Sequence, residues 1–249
     1  MNCFLESANF PQNKVTHIIM SDKKIDILNE VRRLGLSIIV SGFLPSVAGS
    51  ESYHADMSVC HLGKEKIVIA NNMNINTENA LLQIHSHLIK TKNTVTAKNP
   101  WLNVCMMGKR LIGNTKKMDQ TIIDYIQQNE IQILHTNQAY TKCSSAVIDE
   151  NALITADESI YKVCLKNQID VLKISVGNIG LQNYPYGFIG GTCGKFSKHI
   201  LAFSGNIKLH PDYANIKAFA ANYGIYLLSL GKDELYDIGG LIPIKECEQ

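Results

Sequence analysis

The chain has 249 residues, 45% of them hydrophobic, enough to bury a substantial core as one large domain or two small ones. Its 24 basic and 22 acidic side chains leave a net charge of +2, too weak a field to mark a binder of nucleic acid or anionic membrane, so neither is expected as a partner. No apolar run reaches the length of a membrane span, and the first residues lack a basic stretch followed by an apolar one, which predicts a cytoplasmic protein.

Seven cysteines (Cys3, Cys60, Cys105, Cys143, Cys164, Cys193, Cys247) without CxxC spacing argue against a disulfide framework and a zinc ribbon. Most read as small buried apolar residues, and no metal or other cofactor is expected. Residues 1–14 carry little pattern and read as a surface arm. VTHIIM from Val15 is a strand. Ile25, Leu28, Val31 and Leu34 then fall at helical spacing ahead of Gly35, and LSIIVS is a buried strand. Residues 42–53, rich in Gly, Pro and Ser, form a long loop of a kind that is often functional.

From His54 onward a pattern repeats: a polar or glycine-rich lead-in, an apolar strand, a tight turn and a second apolar strand. HADMSVCHLGKEKIVIA is followed by WLNVCMMGKRLIGN, KCSSAVIDENALITA and GGTCGKFSKHILAFSGN; a fifth copy, DIGGLIPIKE from Asp237, stops before its second strand. Helices come next: NTENALLQIHSHLIK capped at Asn76 or Thr77, MDQTIIDYIQQN, ADESIYKVCLKNQ capped by Asp157, and PDYANIKAFAANYG with Pro211 in its first turn. Each hands over to a short apolar strand (TVTA, IQIL, DVLKI, IYLLSL). The unit is strand, strand, helix, strand, at roughly 45 residues per repeat. The units span about 54–97, 99–135, 140–176, 186–230, and 236–249 completed by 15–41. The C-terminus supplies a first strand without its partner, and the N-terminus supplies the rest. Closing the ring with strands from both termini removes two exposed sheet edges, which predicts an α/β fold of five ββαβ blades, a closed propeller. A doubly wound sheet is the alternative, but it leaves the hairpins unexplained.

Such a ring resembles the pentein fold of arginine and agmatine deiminases, dimethylarginine dimethylaminohydrolases and amidinotransferases, a fold also used by a non-catalytic ribosome anti-association factor. The resemblance implies a site in the central channel, at the lead-ins to the first strands. His54-Ala55-Asp56 resembles the family's His-x-Asp motif. Lys142-Cys143, two units later, resembles its basic-then-Cys approach, and Tyr236-Asp237-Ile238-Gly239-Gly240 resembles its acidic glycine turn. The resemblance therefore implies Cys143, His54 and Asp237 as catalytic residues, with Asp56, Lys142, Phe188, Gly190 and Gly191 around the substrate. These residue types suit attack on a guanidine carbon. A thiolate is the nucleophile and needs a nearby cation to form; histidine titrates where it can both give and take protons; carboxylates hold a guanidinium through paired hydrogen bonds.

Two departures stand out: the fourth lead-in, Tyr186 to Gly191, has no carboxylate where the enzymes place one, and Asp237 stands where many relatives have Glu. The leading expectation is a cysteine-dependent hydrolase or transferase acting on a guanidino or amidino compound through a covalent thiouronium. The alternative is a non-catalytic pentein that binds a small molecule or a macromolecular partner, and either is compatible with a homodimer. Cys193, after Gly190-Gly191-Thr192, is a rival nucleophile, while Cys60 and Cys105 read as core. Cys143 also fits a buried packing role, and His54 and Asp56 an ordinary loop. His85 and His87, two apart on an expected helix, face different ways and make no metal pair. GFIGGTCGK lacks the GK[ST] ending of a phosphate loop, so its glycines read as places where backbone approaches the channel axis or a ligand.

Overall fold

Each tight turn returns the chain antiparallel on itself, and the helix that follows carries it back to add a third strand parallel to the second. A computed structural model describes residues 2–47 and 49–248, so Met1 of the expected arm, Ala48 of the expected loop and Gln249 lie outside the described residues. The elements are β1 (Asn2–Phe4), β2 (Val15–Met20), α1 (Ile25–Arg33), β3 (Ser37–Val40), α2 (Ala55–Ser58), β4 (Val59–Gly63), β5 (Lys66–Ile69), α3 (Ile75–Gln83), β6 (His87–Lys90), β7 (Cys105–Met107) and β8 (Arg110–Gly113). They continue with α4 (Gln120–Gln128), β9 (Gln132–His135), β10 (Ala146–Asp149), β11 (Ala152–Thr155), α5 (Glu158–Lys166), β12 (Asp170–Lys173), β13 (Cys193–Ser197), β14 (Ile200–Phe203), α6 (Tyr213–Asn222), β15 (Tyr226–Ser229) and β16 (Ile242–Cys247).

The strands form five small sheets rather than one wide one, which removes the doubly wound alternative. Four are three-stranded: β4-β5-β6, β7-β8-β9, β10-β11-β12 and β13-β14-β15. In each, the hairpin is antiparallel and the third strand runs parallel to the second. The fifth draws on both ends of the chain: β16 pairs antiparallel with β2, placing Ile242 opposite Ile19, and β2 pairs parallel with β3, placing Ile18 opposite Ile38.

The first residues are not a surface arm. Cys3 and Phe4 pair with Glu246 and Lys245, adding β1 to the edge of β16, and Leu5, Ala8 and Phe10 are buried behind it. A three-residue strand is too short to carry any period. Helix α3 also departs from expectation. Its cap is Asn74, whose side chain accepts from the Asn76 amide, while the Thr77 hydroxyl donates to the Val40 carbonyl. The helix ends at Gln83 because His85 takes φ +65°, so His87–Lys90 is the third strand and residues 93–97 are not. The run LLQIHSHLIK stays apolar across that break, so hydrophobicity alone cannot place it. Asp157 does cap α5, accepting from the amides of Ser159 and Ile160.

Neighbouring sheets share apolar interfaces. Ile242 and Ile244 of β16 pack in one cluster with Val59 and Ile67 of the next sheet, and Leu62 of that sheet joins Met106 and Leu111 of the one after. Cys105, Met107 and Ile112 meet Val147 and Leu153; Ala146, Ile148 and Ile154 meet Leu201 and Phe203. Phe196 and Ala202 meet Val15 and Ile18. Each such aliphatic side chain, fully buried, contributes about 1.5–3 kcal/mol.

The lead-ins to β4, β7, β10, β13 and β16 are also tied to one another. The Asp56 amide donates to Gly239 O (3.2 Å), Asn103 Nδ2 to Asp56 O (3.5 Å), and the Cys143 amide to Asn103 Oδ1 (3.1 Å). The Gly191 amide donates to Cys143 O (2.9 Å), and the Gly240 amide to Gly191 O (2.8 Å). The series returns to the lead-in where it began, and it is here that polar side chains collect.

Candidate active site

Helix α2 is a single turn. It fixes His54 and Asp56 just ahead of β4, with Ser58 Oγ donating to Ala55 O (3.0 Å). His54, Asp56, Cys143 and Asp237 are each at most 4% exposed. The Cys143 thiol donates to Asp56 Oδ2 at 2.7 Å, and Asn103 Nδ2 donates to the same sulfur at 3.4 Å. His54 Nδ1 lies 3.7 Å from Asp237 Oδ1. Both oxygens of Asp237 also accept backbone hydrogen bonds, Oδ2 from Phe188 (2.9 Å) and Oδ1 from Gly239 (3.0 Å). Asp56 Oδ1, by contrast, is buried without a hydrogen-bond partner.

Burial pushes the Asp56 carboxyl up; His54, Lys142 and the thiol donor pull it back, Asp237 adds to the rise, and the net value is about 6. The Cys143 thiol is driven well above its ordinary value, first by burial and then by the carboxylates of Asp56 and Asp237, against which the Asn103 donor works. The resting sulfur is therefore a neutral thiol. Anything positive that enters beside the two carboxylates reverses part of that effect. One ligand atom from each of His54, Asp56 and Cys143 lies within 4.8 Å of the others, spacing that a soft divalent cation can also use.

A cavity of about 430 Å³ opens over the sulfur, lined by Cys143, His54, Asp237, Glu51 and the rings of Tyr140, Tyr184, Tyr186 and Phe188. Tyr140 and Phe188 stack at 6.4 Å between centroids, and Tyr186 meets Phe188 edge-on at 6.5 Å. Tyr184 donates to Glu51 Oε2 at 2.7 Å, which helps push its phenol up to about 12.

Of the residues singled out from sequence, His54, Cys143, Asp237 and Phe188 border this cavity, and Asp56 stands against the thiol. Gly190 and Gly191 do not border it. A Cβ on Gly190 would lie 2.3 Å from the carbonyls of Lys142 and Ser145, and one on Gly191 would lie 2.0 Å from Asp237 Oδ1, so both are closely packed positions. Lys142 does not border it either, its Nζ donating to Gly190 O (3.2 Å). Burial works to lower this ammonium, but the net shift is upward, with the Asp56 carboxylate among the groups that raise it, so it stays charged. Cys193 lies buried in β13 with its thiol pushed up to about 12, first by burial, and it borders no part of the cavity. Sequence reading missed Asn103, Glu51 and Tyr184. Asn103 had a signal, the lead-in position it shares with Asp56 and Cys143; the other two had none.

A family model described as "Family of unknown function (DUF6873)" matches residues 18–242. The chain belongs to that family. No curated protein sequence matches this DUF6873 chain. Its fold is shared with solved enzymes. The inosamine-phosphate amidinotransferase from Streptomyces griseus superposes with a TM-score of 0.61 at 10% identity, over 99% of this chain and 98% of that one. A mutant DDAH from Pseudomonas aeruginosa complexed with citrulline gives 0.55 at 12% identity, over 88% and 92%. The agmatine deiminase from C. jejuni with substrate bound gives 0.55 at 9%, over 92% and 91%. At 9–12% identity these likenesses show that the DUF6873 chain shares the fold of the three enzymes. Among the described residues, no helix is long and apolar enough to cross a membrane.

Proposed function

We propose that this protein is a cysteine-dependent hydrolase or transferase acting on a guanidino or amidino compound, and that its five sheets are the blades of a closed propeller. The propeller reading is supported by the hydrogen bonds that link the five lead-ins in series back to the first. The functional reading rests on one observation: the Cys143 sulfur, 2.7 Å from Asp56, shares a cavity with His54, which is itself set against Asp237.

A guanidinium entering the cavity meets the Glu51 carboxylate that borders it and lies over Cys143, behind whose sulfur stands Asp56. Its positive charge offsets the two carboxylates that hold the thiol neutral, so the proton leaves sulfur for a ring nitrogen of His54, within 4.8 Å. The thiolate forms a bond to the guanidine carbon. His54 returns the proton to the departing nitrogen as the carbon–nitrogen bond breaks, leaving a thiouronium on Cys143 and a free amine. Neutral His54 then takes a proton from water, the oxygen adds to the same carbon, and breaking the carbon–sulfur bond releases a ureido product and the thiol. If an amine adds in place of water, the amidino group is transferred instead. Asp237, whose oxygens are engaged by two amides, orients His54 rather than holding substrate.

Protein mixed with a guanidino compound and quenched in acid will carry an amidino adduct on the Cys143 peptide by mass spectrometry, and Cys143→Ala will release neither ammonia nor ureido product. Full turnover with Cys143 never modified would sink the reading. A second reading is a non-catalytic ring that binds a small molecule or a macromolecular partner, and the strongly raised Cys143 thiol favours it. Saturable binding with no adduct and no product identifies that case.

A further inference from the structure

A second cavity of about 430 Å³ borders the same His54 and Asp237, and it is the more basic of the two, with two lysines and no Glu where the first has Glu51 and one lysine, Lys98. Lys23 and Lys24 line it. Their ammonium groups stand 3.7 Å over the rings of Tyr53 and Tyr236, which holds each head in position without neutralising it. No carboxylate of the described residues pairs with either lysine. Asp237, the carboxylate that borders the cavity, is already engaged by the amides of Phe188 and Gly239 and by His54. Asp26 lies in the first turn of α1, where it offsets part of the positive end of that helix. The rest of the lining is neutral and rich in hydrogen-bonding groups: Ser21, Ser50, Gln182 and Asn183.

We propose that this cavity holds an anionic group of the substrate, so that the guanidino compound carries a carboxylate or a phosphate at its other end. The inference rests on the functional reading above and narrows its substrate class. The two cavities share His54 and Asp237; the first adds Glu51, aromatic rings and a single lysine, Lys98, and the second adds two ammonium groups with no carboxylate paired to them. A molecule spanning both is cationic where it meets Cys143 and anionic where it meets Lys23 and Lys24. Two loops run past both cavities, joined by Ser50 Oγ donating to Gln182 O (3.0 Å) and Tyr184 donating to Glu51. Ser50 and Gln182 line the more basic cavity, Glu51 and Tyr184 the other.

The test measures binding by calorimetry to the full-length Cys143→Ala protein, using 4-guanidinobutyrate, the phosphate monoester of 4-guanidinobutanol, and butylguanidine, which lacks the anion. The expected result is that one or both anionic compounds bind about tenfold more tightly than butylguanidine, the stronger of them identifying carboxylate or phosphate as the group recognised. The double substitution Lys23→Gln, Lys24→Gln is expected to bring all three affinities together. Equal binding of the three compounds to the parent protein, or a preference that survives the double substitution, overturns the proposal. Inorganic phosphate supplies the control that separates the two readings: binding to the parent protein that the double substitution abolishes, with no guanidine bound at all, supports the anion site and overturns the guanidino chemistry instead.

Discussion

Where the lead-ins meet, glycine is imposed by what stands beside it; at the ends of the helices only the backbone angle asks for it. Gly190 and Gly191 have no room for a methyl group, because carbonyls of the neighbouring lead-in and the carboxylate of Asp237 occupy the place a Cβ would take. The residues two positions past the five longer helices, α1, α3, α4, α5 and α6, all take positive φ: Gly35 (+82°), His85 (+65°), Glu130 (+54°), Gln168 (+56°) and Gly224 (+65°). Three of the five are not glycine, and a Cβ built on Gly35 would touch nothing within 4 Å. Close approach there is what lets Asp237 reach both the Phe188 amide and His54, so the two glycine-bearing lead-ins hold the carboxylate against which His54 of another lead-in is set.

Gly191→Ala tests the crowded side of that contrast and should have the largest effect. The added methyl must displace Asp237, with an expected loss of about 3 kcal/mol in urea unfolding and of measurable turnover, since His54 loses its partner. A variant as stable as the parent would mean that the lead-ins are not packed this closely. Asp56→Asn tests the polar side, and its stability change has the opposite sign. A buried carboxyl raised from 3.8 to about 6 makes the folded state prefer the protonated form, a preference complete below about pH 4 and lost as pH rises through 6. At pH 7 the ionised group costs about 3 kcal/mol, so the asparagine variant should unfold at higher urea than the parent there and lose that advantage near pH 4. Equal stability at both pH values would place Asp56 in water. Asn103→Ala removes the amide that bridges Asp56, the Cys143 backbone and its sulfur; a loss of about 1.5 kcal/mol and a slower rate of adduct formation are expected, read by unfolding and by mass spectrometry.

The lead-in side of this contrast was largely legible in the sequence and the helix-end side was not. His54, Asp56, Cys143 and Asp237 stand at matching places in a repeating pattern, and repetition is visible even where each motif is short. That β16 and β2 share a sheet followed from the incomplete units at the two ends. The Glu51–Tyr184 contact joins residues 133 apart in two loops with no period, so nothing local announces it. The sequence pattern extends α3 too far because its stop is a histidine at φ +65°, a residue type that gives no break signal of the kind glycine gives. Gly190 and Gly191 were seen as places of close approach, but sequence could not name the Asp237 carboxylate as a group that approaches.

The helix ends supply the smallest and opposite effect. If only the angle matters there, replacing a non-glycine by glycine removes the cost of holding a Cβ at positive φ, at some expense in the entropy of the unfolded chain. Glu130→Gly and Gln168→Gly should each stabilise the protein by about 0.5–1 kcal/mol, additively because the two lead into strands of different sheets, with no change in adduct formation at Cys143. Differential scanning calorimetry of the single and double variants measures this directly. A loss of stability would mean that these side chains make contacts that outweigh the backbone strain, and the helix ends would then be governed by neighbours, as the lead-ins are.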